Sequence, residues 1–162
     1  MHGDNRIGAV VFGPSSGRAA CGLVGMLLLV GWAGCGGDTP FRLAPVQGKV
    51  TYEDGSPIQV PQGGQVRIAF VPQDAAPVGQ AHPTAAQGTL KPDGSFSELT
   101  TYQFGDGAII GRHKVTVLAV DAMEQPLPAV PKPYWNVSTT PLEVTVEKGG
   151  RNYFELKIKK SP

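Results

Sequence analysis

Cysteine is nearly missing from this sequence: two among 162 residues, Cys21 and Cys35, both within the first thirty-five positions. No disulfide framework can staple the rest of the chain. Charge is scarce too, at 17% of residues, and the signs almost cancel at a net +1. That gives no support to nucleic-acid binding or to an electrostatic hold on anionic lipid. The three histidines, His2, His82 and His113, are far apart in sequence and have no carboxylate or cysteine cluster beside them. They therefore specify no metal-ligand set. There is no Gly-x-Ser-x-Gly elbow, and the glycine-rich stretches precede strands instead of helices, which excludes a phosphate loop. The sequence thus assigns no catalytic residue, no metal ligand and no cofactor.

A long apolar run is missing as well. The longest, from Ala19 to Ala33, covers about fifteen residues, and a membrane-spanning helix needs about 20. It follows a polar leader holding Arg6 and Arg18 and ends in small residues, Gly31-Trp-Ala-Gly-Cys35. This is the pattern of a secretory signal, so residues 1–34 are set aside from the fold. Ala33-Gly34-Cys35 resembles the lipobox of bacterial lipoproteins, with Trp32 where that motif usually has leucine. The resemblance implies that Cys35 is acylated and becomes the first residue of the mature chain. Cys21 would leave with the signal, and two or three acyl chains on Cys35 would give a lasting anchor. Removal of Asp4, Arg6 and Arg18 leaves twelve basic and twelve acidic residues. Attachment would then rest on lipid and not on charge. Residues 35–44 read as the lipidated cysteine and a flexible tether.

What the remaining chain does have is turns and period-two alternation. Gly and Pro number 22 and 15, and they punctuate apolar runs instead of pooling. Val46, Gly48, Val50 and Tyr52 alternate with polar residues, as do Val66, Ile68 and Phe70, and His113, Val115, Val117 and Ala119. Leu142, Val144 and Val146 continue the pattern, followed by Phe154, Leu156 and Ile158. Two weaker strands, 85–90 and 95–100, flank Asp93-Gly94, a hairpin signal. Lys148-Gly149-Gly150 reads as another hairpin, placing Glu143 and Glu147 opposite Lys157 and Lys159. No window of the body carries a helical period. The expectation over 45–162 is all-β: a single antiparallel seven-stranded β-sandwich after an N-terminal signal segment.

The order of these elements resembles the carboxypeptidase regulatory-like, or transthyretin-like, β-sandwich common among bacterial lipoproteins. The similarity is carried by Val46–Tyr52, Asp54-Gly-Ser-Pro57, Val66–Pro72, Leu90–Phe96, Gly111–Val117, Pro131–Tyr134 and Thr140–Val146. His113 stands where that family commonly has tyrosine. The resemblance implies a non-enzymatic domain that assists folding, adhesion or attachment. The implied protein sits at the cell envelope, lipid-anchored and facing the periplasm or the outer surface. Its partners would be the membrane, through Cys35, and an unidentified envelope protein or glycan.

Four aromatics in loops or at strand ends, Tyr102, Phe104, Tyr134 and Trp135, are the candidate ligand platform, since exposed rings on a sheet protein can stack on sugars. The alternative function is a carbohydrate-binding module using Tyr134 and Trp135. The competing reading folds these two rings over the core as a lid, pinned by Pro131, Pro133 and Pro141. His113 lies on the core-facing phase of its strand and reads as a structural histidine. Asp54, Asp93 and Asp106, each beside glycine, read as turn residues.

Overall fold

The computed structural model describes residues 39–160. They are built from strands, with one short 3₁₀ turn and no α-helix among the described residues. In chain order the strands are β1 (Leu43–Ala44), β2 (Val46–Tyr52), β3 (Gln65–Pro72), β4 (Ala86–Thr89), β5 (Ser95–Phe96), β6 (Ala108–Ile109), β7 (Gly111–Val120), β8 (Glu143–Val146) and β9 (Asn152–Ile158). They form a four-stranded sheet ordered β4-β3-β7-β8, a three-stranded sheet β5-β2-β9 and a small pair β1-β6.

Alternation in the sequence becomes sidedness in the fold. Val66, Ile68 and Phe70 of β3 and Val115, Val117 and Ala119 of β7 are buried on one face of the larger sheet. Val46 and Val50 of β2, Phe96 of β5, and Leu156 and Ile158 of β9 are buried from the smaller one, and all belong to one core cluster. Phe70 ties the two sheets together, with its ring centroid 5.8 Å from Phe96 and 6.0 Å from Phe154.

Three expectations are corrected by the pairing. First, the sheets are not wholly antiparallel: β2 and β9 run parallel, in register from Val46–Asn152 to Tyr52–Ile158. Second, both glycine-rich connections join strands that belong to different sheets. β8 pairs with β7, whereas β9 pairs with β2 in the other sheet, so residues 147–151 cross between sheets. Glu143 therefore meets Lys114, at 2.8 Å, and Lys157 donates to the Thr51 hydroxyl at 3.0 Å. Likewise β4 pairs with β3 and β5 with β2, so the Lys91–Ser95 turn also changes sheets. The strand expected over 95–100 stops at Phe96 and is broken at Glu98, whose φ is 56°. Thr100 then bridges antiparallel to Gln87 of β4, so the two expected strands meet at a single rung. Third, the tether expected to reach residue 44 ends earlier. Phe41 and Ala44 are buried, and β1 pairs antiparallel with β6.

The turns are built alike. In Asp54-Gly-Ser56 and Asp93-Gly-Ser95 the aspartate Oδ1 accepts both the serine N–H and the serine O–H. The intervening Gly94 has φ +83°, and a Cβ there would lie 2.4 Å from the Val50 carbonyl oxygen. Only glycine fits such a site.

Gly48 is constrained by space instead. Its strand is squeezed between two neighbours, and a Cβ would fall 2.1 Å from the Phe154 carbonyl oxygen and 2.8 Å from the Phe96 ring. Gly48→Ala is expected to lower stability by about 1–3 kcal/mol, the usual cost of overpacking a close-packed site. An unchanged urea midpoint in this variant would show that the β5-β2-β9 packing is wrong.

Candidate functional site

Strand directions sort the loops into two ends. β7 runs from Gly111 to Val120, about 33 Å of extended chain, with residues 100–107 before its start and 121–125 beyond its finish. The start of the folded chain lies at the first of these ends, because β1 pairs with β6 directly before β7. There Phe41 stacks on Tyr102, with centroids 6.2 Å apart and planes 5° from parallel.

The loop carrying Tyr102 and Phe104 is organised round one carboxylate. Asp106 accepts backbone N–H groups from Thr101 at 2.7 Å, Tyr102 at 2.9 Å and Gln103 at 2.8 Å. Thr101 Oγ1 donates to the Gly107 carbonyl at 2.6 Å, and the Tyr102 hydroxyl donates to the His82 carbonyl at 3.3 Å, tying in the 73–85 loop. Partial burial alone would raise the Asp106 carboxyl, but the three N–H donors outweigh it and hold it below the usual carboxylate value. Phe104, at the crest, is 83% exposed. A ring so exposed on a loop so tightly tied is presented, not merely left over. Beside this loop a recess of about 350 Å³ is lined by Glu98, Gly105, Gly107, Arg151 and Asn152.

The four aromatics do not form one platform. Tyr134, in the 3₁₀ turn Lys132–Trp135, is buried, and its hydroxyl accepts the N–H of Lys159 just past β9, at the opposite end of the strands from Tyr102. Trp135 Nε1 donates to the Val130 carbonyl at 2.8 Å, and its half-buried ring packs on the core. These rings close over the core as the lid reading has it. Thr140, whose hydroxyl donates to the Val115 carbonyl at 2.6 Å, fastens the segment's other end. Trp135 does border a groove of about 390 Å³ along the four-stranded sheet, with Arg67, Gln87, Thr89 and Thr116. Cys35 lies outside the described residues.

His113 is buried, with Nδ1 3.0 Å from the Gly111 carbonyl and its edge toward Phe70. Its Nε2 is buried without a partner. No carboxylate bonds to the ring, and among the described residues no group of three or more His, Cys, Asp or Glu side chains gathers to hold a metal ion. His82 lies in the exposed part of the 73–85 loop. Sequence reasoning missed Phe41 and Val78, which belong to the same end as Tyr102. It also missed that Asp106 clamps the aromatic loop; the signal was an aspartate between two glycines directly after an aromatic pair.

Comparison with known proteins gives no match: no family model, no curated protein and no solved structure is similar to this chain.

Two predictions follow from these contacts. Asp106→Ala strands three backbone donors and is expected to cost about 1.5–3 kcal/mol, the range for hydrogen bonds to a charged group. Faster amide exchange confined to residues 100–107 is the expected signature, and unchanged exchange there would refute the clamp. For His113, desolvation favours the neutral ring and lowers its pKa below the ordinary 6.5, against weaker opposing pulls from the Gly111 carbonyl and Asp74. The unfolded chain then binds the proton first. The contribution of His113 to stability is complete above about pH 6.5 and is lost as pH falls below it. Denaturation midpoints at about pH 7.5 and pH 5, above the range where carboxylates take up protons, should differ less in His113→Phe than in the wild type.

Proposed function

We propose that this is a non-enzymatic, lipid-anchored protein of the cell envelope, whose two larger sheets are the layers of a seven-stranded, transthyretin-like β-sandwich. The sandwich presents its loops as a binding or scaffolding surface, and acyl chains at Cys35 hold it to a membrane. The observation that carries this reading is the position of Cys35. It follows a short apolar run ending in small residues and stands only six residues before the buried Phe41. The link is thus a handful of residues, and the sandwich would sit close to the lipid. The resemblance of the motifs from Val46 to Val146 to the carboxypeptidase regulatory-like family supports the non-catalytic role.

The second reading, a carbohydrate-binding module, keeps one of its two residues. Tyr134 is inside the core, but Trp135 borders the groove along the four-stranded sheet with Arg67, Gln87 and Thr116. Once residues 1–34 are removed, Trp135 is the one tryptophan left. Its fluorescence therefore reports that groove directly, and indifference to a glycan panel would dismiss this reading.

The anchor is tested by intact mass of the membrane-extracted protein from a Gram-negative host, wild type against Cys35→Ala. A mature species beginning at Cys35 with added diacylglyceryl mass is expected, and its absence from the variant. A soluble, unmodified wild-type product would overturn the reading.

A further inference from the structure

We propose that the end of the domain carrying Phe41, Tyr102 and Phe104 rests on the bilayer, with Phe104 inserted at the headgroup–acyl boundary as a second, non-covalent anchor. This rests on the reading of Cys35 as the acylated residue and adds an orientation to it.

The first argument is reach. From Cys35 to Phe41 is six residues, at most about 20–22 Å when fully extended. Phe41 is not a loose end: it is buried and stacks on Tyr102, two residues before Phe104. An acyl chain at Cys35 therefore delivers this end of the domain to the lipid surface. The opposite end, with residues 121–125, is a whole ten-residue strand farther away.

Surface chemistry gives the second argument. Among the described residues the exposed large apolar side chains are Val78, Tyr102, Phe104, Met123, Val137 and Tyr153. Val78, Tyr102 and Phe104 sit in loops at the tethered end, and Tyr153 is the second residue of β9, which starts there. An aromatic ring and an aliphatic side chain beside a tyrosine are what a membrane interface accepts. The clamp at Asp106 lets Phe104 be presented without the cost of ordering a flexible loop.

Charge supplies the third. Arg112 is paired with Asp74 and Lys114 with Glu143. The rest of this end, Arg42, Lys148 and Arg151 against Glu98, Asp106 and Glu147, is balanced. Contact would thus be apolar and would not need anionic lipid or weaken in salt.

The test uses the full chain, processed in a bacterial host, extracted and reconstituted into phosphatidylcholine vesicles with brominated acyl chains. Phe104→Trp and Met123→Trp replace side chains that are 83% and 81% exposed, so folding should tolerate both. Subtracting the wild-type signal removes Trp135. The tryptophan introduced at 104 is expected to shift to the blue and lose on the order of half its emission, as a ring about 5–10 Å into the boundary would. The one at 123 should be unaffected, and 1 M salt should change neither. Intact mass is read on the same samples. If the protein carries lipid and position 104 stays unquenched, the orientation is overturned and the anchor stands; that is also the result if the loop serves a protein partner. Equal quenching at both positions overturns the orientation too. A protein without lipid mass overturns the anchor, and this inference falls with it.

Discussion

The two sheets hold together because Phe70 occupies the middle of the space between them. It sits on β3, whose pairing with β7 runs unbroken from Gln65–Val120 to Pro72–His113. From that position its ring reaches Phe96 and Phe154 of the other sheet and the edge of His113. Offset and tilted rings of this kind add specificity to their burial. Every other arrangement follows from it. Gly48 has no side chain because the Phe154 carbonyl and the Phe96 ring already fill its place, and burial among aromatic and aliphatic neighbours pushes the His113 pKa down.

Much of this was legible in the sequence, for a local reason. Period two places Val46, Val50, Val66, Ile68, Phe70, Val115 and Val117 on one side without any knowledge of partners, and all are buried. The core phase of His113 followed in the same way. What alternation cannot state is which strand lies beside which. Lys148-Gly149-Gly150 looked like a hairpin turn because a tight turn reads the same whether it returns to its own sheet or crosses to the facing one, and the flanks of Asp93-Gly94 meet only at the Gln87–Thr100 bridge. Complementary charges on β8 and β9 reinforced that error, although each set found a different partner, Glu143 with Lys114 and Lys157 with Thr51.

The candidate site was half legible. Exposure of Phe104 could be expected from its place between Gln103 and Gly105, but Tyr134 offered the same appearance from a proline-rich loop and is buried. The difference lies in partners far off in the chain. The Tyr134 hydroxyl meets the backbone of Lys159, 25 residues on, whereas the Tyr102–Phe104 loop satisfies its backbone through its own Asp106. A local clamp such as Asp106 leaves a signal in the sequence, even though here it was read only as a turn residue; a distant one leaves none. The tether was overestimated for a similar reason, since β1 is only two residues long and pairs with a β6 just as short.

The parallel pairing of β2 with β9 has a consequence in time. Among the described residues β2 is the first long strand and β9 the last, with Thr51 and its partner Lys157 106 positions apart. Until β9 has been made, one side of β2 keeps a row of unpaired amides and carbonyls, the kind of edge on which chains mispair with one another. Contacts so distant in sequence form slowly. One side of β2 therefore stays open while the intervening residues are made, and closes only when β9 arrives.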